Sequence, residues 1–222
     1  MKHYKLVIFD MDGTILNTLE DLTDSTNYAL YAHNLPQRTM EEVRQFVGNG
    51  IGKLIERAVP VGTKKELEEQ VLATFKAYYG EHCAVKTRPY EGILEVLRTL
   101  RERGYLTAVV SNKADFAVQS LVQDYYPGLF DVAVGEKEGV RRKPAPDSVF
   151  EVLHLLGIEK EAAVYVGDSD VDLDTAKNAG MEVIAVEWGF RDREFLLAHG
   201  ARVIVGKPME ILEQLENDYL HL

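Results

Sequence analysis

Short runs that are apolar on both faces recur along the chain and alternate with helical periodicity. Lys5–Phe9, Thr107–Val110, Val132–Val134, Ala162–Val166 and Glu182–Val186 predict buried strands, and Arg202–Val205 predicts a weaker sixth. Strands without a polar face belong to a parallel sheet covered by helices on both sides. Between the runs, Ile93, Leu94, Val96, Leu97 and Leu100 form one helical stripe, closed by Gly104. Ala117, Val118, Leu121 and Val122 form a second. Val149, Phe150, Val152, Leu153 and Leu156 form a third, closed by Gly157. Glycine just past a helix supplies the left-handed residue that ends it. The βαβα alternation predicts an α/β class with a doubly wound parallel sheet, a Rossmann-like core.

One stretch breaks the alternation. From Asn17 to Lys86 no strand is predicted. Leu19, Leu22, Thr26, Ala29 and Leu30 have helical spacing, as do Ile51, Leu54, Ile55 and Ala58, and Leu67, Val71, Leu72, Phe75 and Tyr78. The expected organisation is a core from residues 1–16 and 87–222, with an all-helical insert at 17–86. The return to the core falls near Arg88-Pro89, where proline favours an extended approach.

Composition narrows the class. The chain is 46% hydrophobic and 27% charged, enough apolar material for a real core. Lys+Arg total 25 and Asp+Glu 36, for a net charge of −11. Such a surface argues against nucleic acid or anionic membrane as partners. The single cysteine, Cys83, allows no internal disulfide. No signal peptide or bilayer-spanning run is visible, so a cytoplasmic location is expected.

Four segments carry chemistry, each after a different predicted strand. Asp10-Met11-Asp12-Gly13-Thr14 follows the first. Two carboxylates two residues apart at a strand's carboxyl end reach one site, and ligands of doubly wound sheets bind there. Gly167-Asp168-Ser169-Asp170-Val171-Asp172 follows Ala162–Val166 and adds acids suited to a hard cation such as Mg²⁺. The same acids also suit a helix N-terminus, a reading that covers Asp170 and Asp174 better than Asp168. Ser111-Asn112-Lys113 offers a hydroxyl and N–H groups for a phosphate, or a plain N-cap. Lys143 stands in the proline-stiffened Arg141-Arg142-Lys143-Pro144-Ala145-Pro146 as a point charge suited to phosphate; a solvated basic loop is the alternative, and it accounts for Arg141 and Arg142.

With these four segments in order, the chain resembles the phosphatase branch of the haloacid dehalogenase superfamily. Within that branch it is most similar to phosphoglycolate phosphatases and related pyrophosphatases. Val47-Gly48-Asn49-Gly50 resembles their cap loop, and Val186-Glu187-Trp188-Gly189 resembles the pyrophosphatase-like members. Asn17-Thr18 departs from the Asp-Ser that relatives often carry. The resemblance implies that Asp10 is a nucleophile forming an aspartyl-phosphate and that Asp12 is the acid and base. It implies Mg²⁺ on Asp10, Asp168 and the Asp12 carbonyl, with Asp172 orienting the metal's water or Lys143. It assigns phosphoryl binding to Ser111, Asn112 and Lys143, and counts Thr14 among the substrate-binding residues. It makes the insert a lid whose Gly48, Asn49 and Gly50 meet the substrate's other end.

The expected substrate is a small phosphorylated metabolite, with phosphoglycolate favoured, and the expected state a monomer or homodimer. A phosphosugar mutase or inorganic pyrophosphatase shares these core residues. A phosphoryl-receiver signalling module is the rival outside enzymes, and the length and the helical insert weigh against it. Asp12 weighs against dehalogenation.

Overall fold

The computed structural model describes residues 4–216. They divide into two units: one of the described residues through Leu16 and from Pro89 onward, the other Asn17–Arg88.

The first unit is built on a six-stranded sheet. Its strands are β1 (Leu6–Phe9), β4 (Leu106–Ala114), β5 (Val132–Glu136), β6 (Ala163–Gly167), β7 (Glu182–Val186) and β8 (Ile204–Val205), in the order β5-β4-β1-β6-β7-β8. Every neighbouring pair is parallel. Parallel strands need crossovers, supplied by α5 (Ile93–Glu102), α6 (Asp115–Tyr125), α7 (Asp147–Leu156), α8 (Asp170–Ala179) and α9 (Arg193–Ala198). α10 (Glu210–Glu216) follows β8.

Strand alternation sorts the core into two layers. Val7 and Phe9 of β1 pack with Ile93, Val96 and Leu97 of α5, Val118 and Leu121 of α6, and Ile211 of α10. Leu6 and Ile8 point the other way, toward Val149 and Val152 of α7 and Ala176 and Ala179 of α8. All four β1 residues are fully buried. Two covered faces are the doubly wound architecture that unbroken apolar runs demand. The chain visits β4 and β5 on one side of β1, then β6, β7 and β8 on the other. The crevice at that reversal, at the carboxyl ends of β1, β4 and β6, is where such sheets bind ligands.

The pattern and the structure differ in places. β4 runs four residues past Val110, through Ser111–Ala114, because a bulge between Val110 and Ala114 re-aims its polar end onto Glu136 of β5. Two-residue strands β2 (Leu16–Asn17) and β3 (Arg88–Pro89) pair in a separate sheet where the chain leaves and re-enters the first unit.

The second unit is helical: α1 (Leu19–Ala32), α2 (Met40–Phe46), α3 (Ile51–Ala58) and α4 (Lys65–His82). Leu22, Leu30, Val43, Leu54, Ile55, Val71 and Phe75 are buried in it. The buried Asp21 carboxylate accepts the Lys86 and Thr87 N–H groups at 2.8–3.0 Å and pins the end of the unit to α1. Among the described residues, no helix is long and apolar enough to cross a membrane.

Candidate functional site

Four strand ends supply the site. Asp10 directly follows β1, Ser111–Lys113 form the end of β4, Lys143 lies in the loop between β5 and α7, and Asp168 directly follows β6. Asp10, Ser111, Lys143, Asp168 and Asp172 are all buried.

Lys143 is the hub. Its Nζ donates to Asp10 Oδ1 at 2.7 Å, to Asp172 Oδ1 at 2.8 Å and to the Tyr165 hydroxyl at 3.1 Å. An ammonium has three donors, and these three oxygens match them. Tyr165 stands on β6 and donates onward to the Val110 carbonyl at 3.3 Å. The Lys143 backbone is held as well. The Asn112 side chain accepts from the Lys143 N–H at 2.9 Å and donates to the Lys143 carbonyl at 3.1 Å. The Asn112 amide group is therefore engaged in holding the Lys143 loop.

Asp172 joins two roles. Its Oδ1 holds Lys143, while Oδ2 accepts from Ser169 Oγ at 2.6 Å and from the Ser169 and Asp168 N–H groups at 3.1 and 3.2 Å. That second set is the capping box of α8, which satisfies N–H groups that a helix start leaves without partners. Gly167 leaves room for it: a Cβ there would fall 2.4 Å from Asp172 Cγ.

Asp168 is aimed from both sides. Thr14 Oγ1 donates to its Oδ1 at 3.0 Å, and the Phe190 N–H donates to its Oδ2 at 2.7 Å. Trp188 Nε1 donates to the Thr14 carbonyl at 3.0 Å and ties the two supports together. Cβ atoms at Gly13 or Gly189 would each fall 2.4 Å from Asp168 Oδ2. Gly13 also has φ +91, which L side chains rarely adopt. Thr14, expected at the substrate, thus has its hydroxyl on Asp168.

Asp12 lies apart from this network. Its Oδ1 is 3.0 Å from Lys113 Nζ, an ion pair without hydrogen-bond alignment. Ser111 Oγ accepts the Lys113 N–H at 3.1 Å. Gly48, Asn49 and Gly50 belong to the second unit, between α2 and α3, where Asn49 Oδ1 accepts from Arg57 at 2.8 Å.

The electrostatics follow from burial. Burial first, then the Asp172 charge, push the Asp168 carboxyl from its ordinary 3.8 up to about 7, against the Phe190 and Thr14 hydrogen bonds. Burial and Asp172 also push Asp10 well above the usual carboxylate range, with Lys143 pulling against them and Asp168 adding to the push. Burial alone would lower the Lys143 ammonium; Asp10 and Asp172 outweigh it and hold that group well above its ordinary value. Ligand oxygens of Asp10, Asp168 and Asp172 lie within 4.8 Å of one another. Three carboxylates against one ammonium leave two negative charges when ionised. A buried all-oxygen set with that deficit fits a hard divalent cation. Asp10 and Asp168 are the direct donors this arrangement offers: each Asp168 oxygen accepts one hydrogen bond and keeps a lone pair, whereas the Asp172 oxygens already accept from Lys143, Tyr165, Ser169 and the Asp168 N–H.

Tyr165, Trp188 and Phe190 carry no sequence signal for these roles. Tyr165 reads as one more aromatic in an apolar strand, and Phe190 contributes through its backbone alone.

The model of the family described as haloacid dehalogenase-like hydrolase matches residues 7–186. A phosphoglycolate phosphatase of Mesorhizobium japonicum is 35% identical over 195 residues, covering 85% of each chain. An N-acetylmuramic acid 6-phosphate phosphatase of Pseudomonas aeruginosa is 33% identical over 214 residues, covering 96% of this chain and 95% of its own. A crystal structure from Lactobacillus delbrueckii subsp. bulgaricus, provisionally assigned as a phosphoglycolate phosphatase, is 42% identical with a TM-score of 0.91, covering 97% of this chain and 99% of that one.

Proposed function

The chain belongs to the haloacid dehalogenase-like hydrolase family and is a phosphatase, and from that premise we propose that Asp10 attacks the phosphorus of a small phosphate monoester. The observation that carries this reading is the Lys143 ammonium bridging Asp10 and Asp172 beside Asp168, all buried at the sheet's switch point. A free phosphate dianion is repelled by three carboxylates. Lys143, with a divalent cation held by the carboxylates, would offset those three negative charges, and phosphoryl transfer depends chiefly on such stabilisation.

Lys143 fixes one Asp10 oxygen at 2.7 Å, so the carboxylate's orientation is set before substrate arrives. An Asp10 oxygen forms a bond to phosphorus as the ester oxygen leaves, giving an aspartyl-phosphate. Asp12 gives its proton to the departing alkoxide and then takes one from the water that attacks phosphorus. Inorganic phosphate leaves and the Asp10 carboxylate is restored. Ser111 and the Asn112 N–H bind phosphoryl oxygens. Asp10 and Asp168 would hold Mg²⁺, which would supply Lewis-acid charge at the phosphoryl oxygens.

Phosphoglycolate is the favoured substrate, supported by the names of the related enzymes. The proposed location is cytoplasmic and the proposed state a monomer or homodimer. The test is a panel of phosphorylated metabolites assayed for phosphate release with and without Mg²⁺, on wild type and Asp10→Asn. Release that needs both Mg²⁺ and Asp10 is expected. Turnover by Asp10→Asn at the wild-type rate refutes the mechanism.

A further inference from the structure

The loop after β7 closes a ring of hydrogen bonds around Asp168. Thr14 Oγ1 donates to Asp168 Oδ1 at 3.0 Å, and the Phe190 N–H donates to Oδ2 at 2.7 Å. Trp188 Nε1 donates to the carbonyl of that same Thr14 at 3.0 Å. The circuit therefore runs from one Asp168 oxygen through Thr14, Trp188 and Gly189 to Phe190, and back to the other oxygen. It has no slack at Gly189, where a Cβ would fall 2.4 Å from Asp168 Oδ2 and from the Gly13 carbonyl oxygen.

Both ends of the loop are anchored outside the ring. The Trp188 side chain packs against the buried cluster that holds Val7, Phe9 and Val186. On the other side the Asp192 carboxylate accepts the Phe195 N–H at 2.8 Å and starts α9, while Arg191 Nε lies 3.7 Å from Asp170 Oδ1 on α8. The Thr14 side gains from such an anchor. The N–H groups of Thr14, Ile15 and Leu16 share the Met11 carbonyl at 3.0–3.3 Å. A carbonyl has two lone pairs, so three donors on one oxygen hold the turn less firmly than separate acceptors would. The last torsion of an aspartate is broad, so the direction of the Asp168 carboxylate is set by its hydrogen-bond partners. A half-buried indole N–H generally finds some acceptor. Here that acceptor is the backbone of the residue whose hydroxyl aims Asp168.

We propose that Trp188 is a positioning residue for the divalent cation: through Thr14 it fixes the Asp168 carboxylate, and so sets the affinity for Mg²⁺ rather than the rate once the ion is bound. The inference rests on the proposed role of Asp10 and Asp168 in holding Mg²⁺. Partners that orient a metal-binding side chain typically contribute about 10–100-fold in affinity. The Trp188 bond works on the Thr14 hydroxyl, so its effect disappears when that hydroxyl is removed.

In the experiment Mg²⁺ is titrated by calorimetry into metal-free wild type, Trp188→Phe, Thr14→Val and the double variant, as full chains without substrate. Trp188→Phe keeps an aromatic ring and loses the N–H, and should raise the dissociation constant about tenfold or more. Thr14→Val should do the same, and the double variant should add no more than about twofold to Thr14→Val, since linked positions are not additive. With p-nitrophenyl phosphate at saturating Mg²⁺, kcat and KM of Trp188→Phe should stay within about threefold of wild type. Thr39→Ala, whose lost cap lies on α2, should bind Mg²⁺ as wild type does. A Trp188→Phe dissociation constant within about twofold of wild type overturns the proposal. So does full additivity in the double variant, or a fall in kcat that persists at saturating Mg²⁺. A Trp188→Phe chain that fails to fold overturns it as well, because the ring would then serve the core alone. Wild type that binds no Mg²⁺ removes the metal reading and this proposal with it, whereas wild-type binding that the variant shares removes this proposal only.

Discussion

Replacing Asp168 by Asn should stabilise the metal-free protein while removing its activity. Asp168 is fully enclosed, and its carboxyl is pushed up from 3.8 to about 7, by burial first and Asp172 second. A raised folded-state value means that the fold binds the proton more tightly than the unfolded chain does. That contribution is complete below 3.8 and is lost as pH rises through 7. At 1.36 kcal/mol per unit, the ionised carboxylate costs ~4 kcal/mol at pH 8. Asn mimics the protonated acid. Its carbonyl accepts the Phe190 N–H, and its amide donates to Thr14 Oγ1, which now donates to Asp168 Oδ1. For a chain of this length the gain corresponds to about 8–16 °C in Tm. It should shrink by ~1.4 kcal/mol per pH unit between 7 and 4. The assay is thermal unfolding of both proteins in EDTA at pH 8 and pH 5. Excess Mg²⁺ at pH 8 should narrow or reverse the order, because a ligand stabilises only the protein that binds it. Asp168→Asn melting at or below wild type in EDTA at pH 8, or a gain that ignores pH, refutes the reasoning.

Other perturbations test separate parts of the site. Gly189→Ala drives a Cβ to 2.4 Å from Asp168 and from the Gly13 carbonyl, so unfolding should cost ~1–3 kcal/mol less and activity should fall at least about 100-fold. Tyr165→Phe removes one of three oxygens on Lys143; about 1–2 kcal/mol of stability and about tenfold in kcat should go, with the far-ultraviolet circular dichroism unchanged. Thr39→Ala removes the capping box with Glu42 at the start of α2; denaturant titration should show a loss of ~1 kcal/mol. EDTA should abolish phosphate release by wild type, and Mg²⁺ should restore it; full activity after exhaustive chelation would sink the metal requirement.

The doubly wound sheet was legible because β1, β6 and β7 are apolar on both faces, a pattern tied directly to burial. Glu182–Val186 has the same bounds in the structure as in the pattern. The polar end of β4 was not legible. Ser111–Ala114 extend the strand only because Gly135 opens a path beside β5, and that relation joins residues far apart in sequence. α2 went unread although Thr39 and Glu42 have capping-box spacing; its seven residues bury only Val43, too few for a stripe. Asp10, Ser111, Lys143 and Asp168 were marked by following predicted strands, so topology alone brings them to one edge. Their supports could not be marked that way. Tyr165 contributes a hydroxyl, Phe190 a backbone N–H and Gly189 an absence of side chain, and none differs in type from ordinary core or turn residues.

Asp172 carries a lesson for anyone wishing to trap this protein with its substrate. One oxygen fastens Lys143, and the other fastens the first turn of α8. Chemistry and local foldedness therefore share a single group. An inert protein made by altering that residue confounds a lost reaction with a frayed helix. Asp10 takes no part in capping any helix, so Asp10→Asn is the cleaner choice for co-crystallisation: it silences the attack while leaving the scaffold around the phosphate in place.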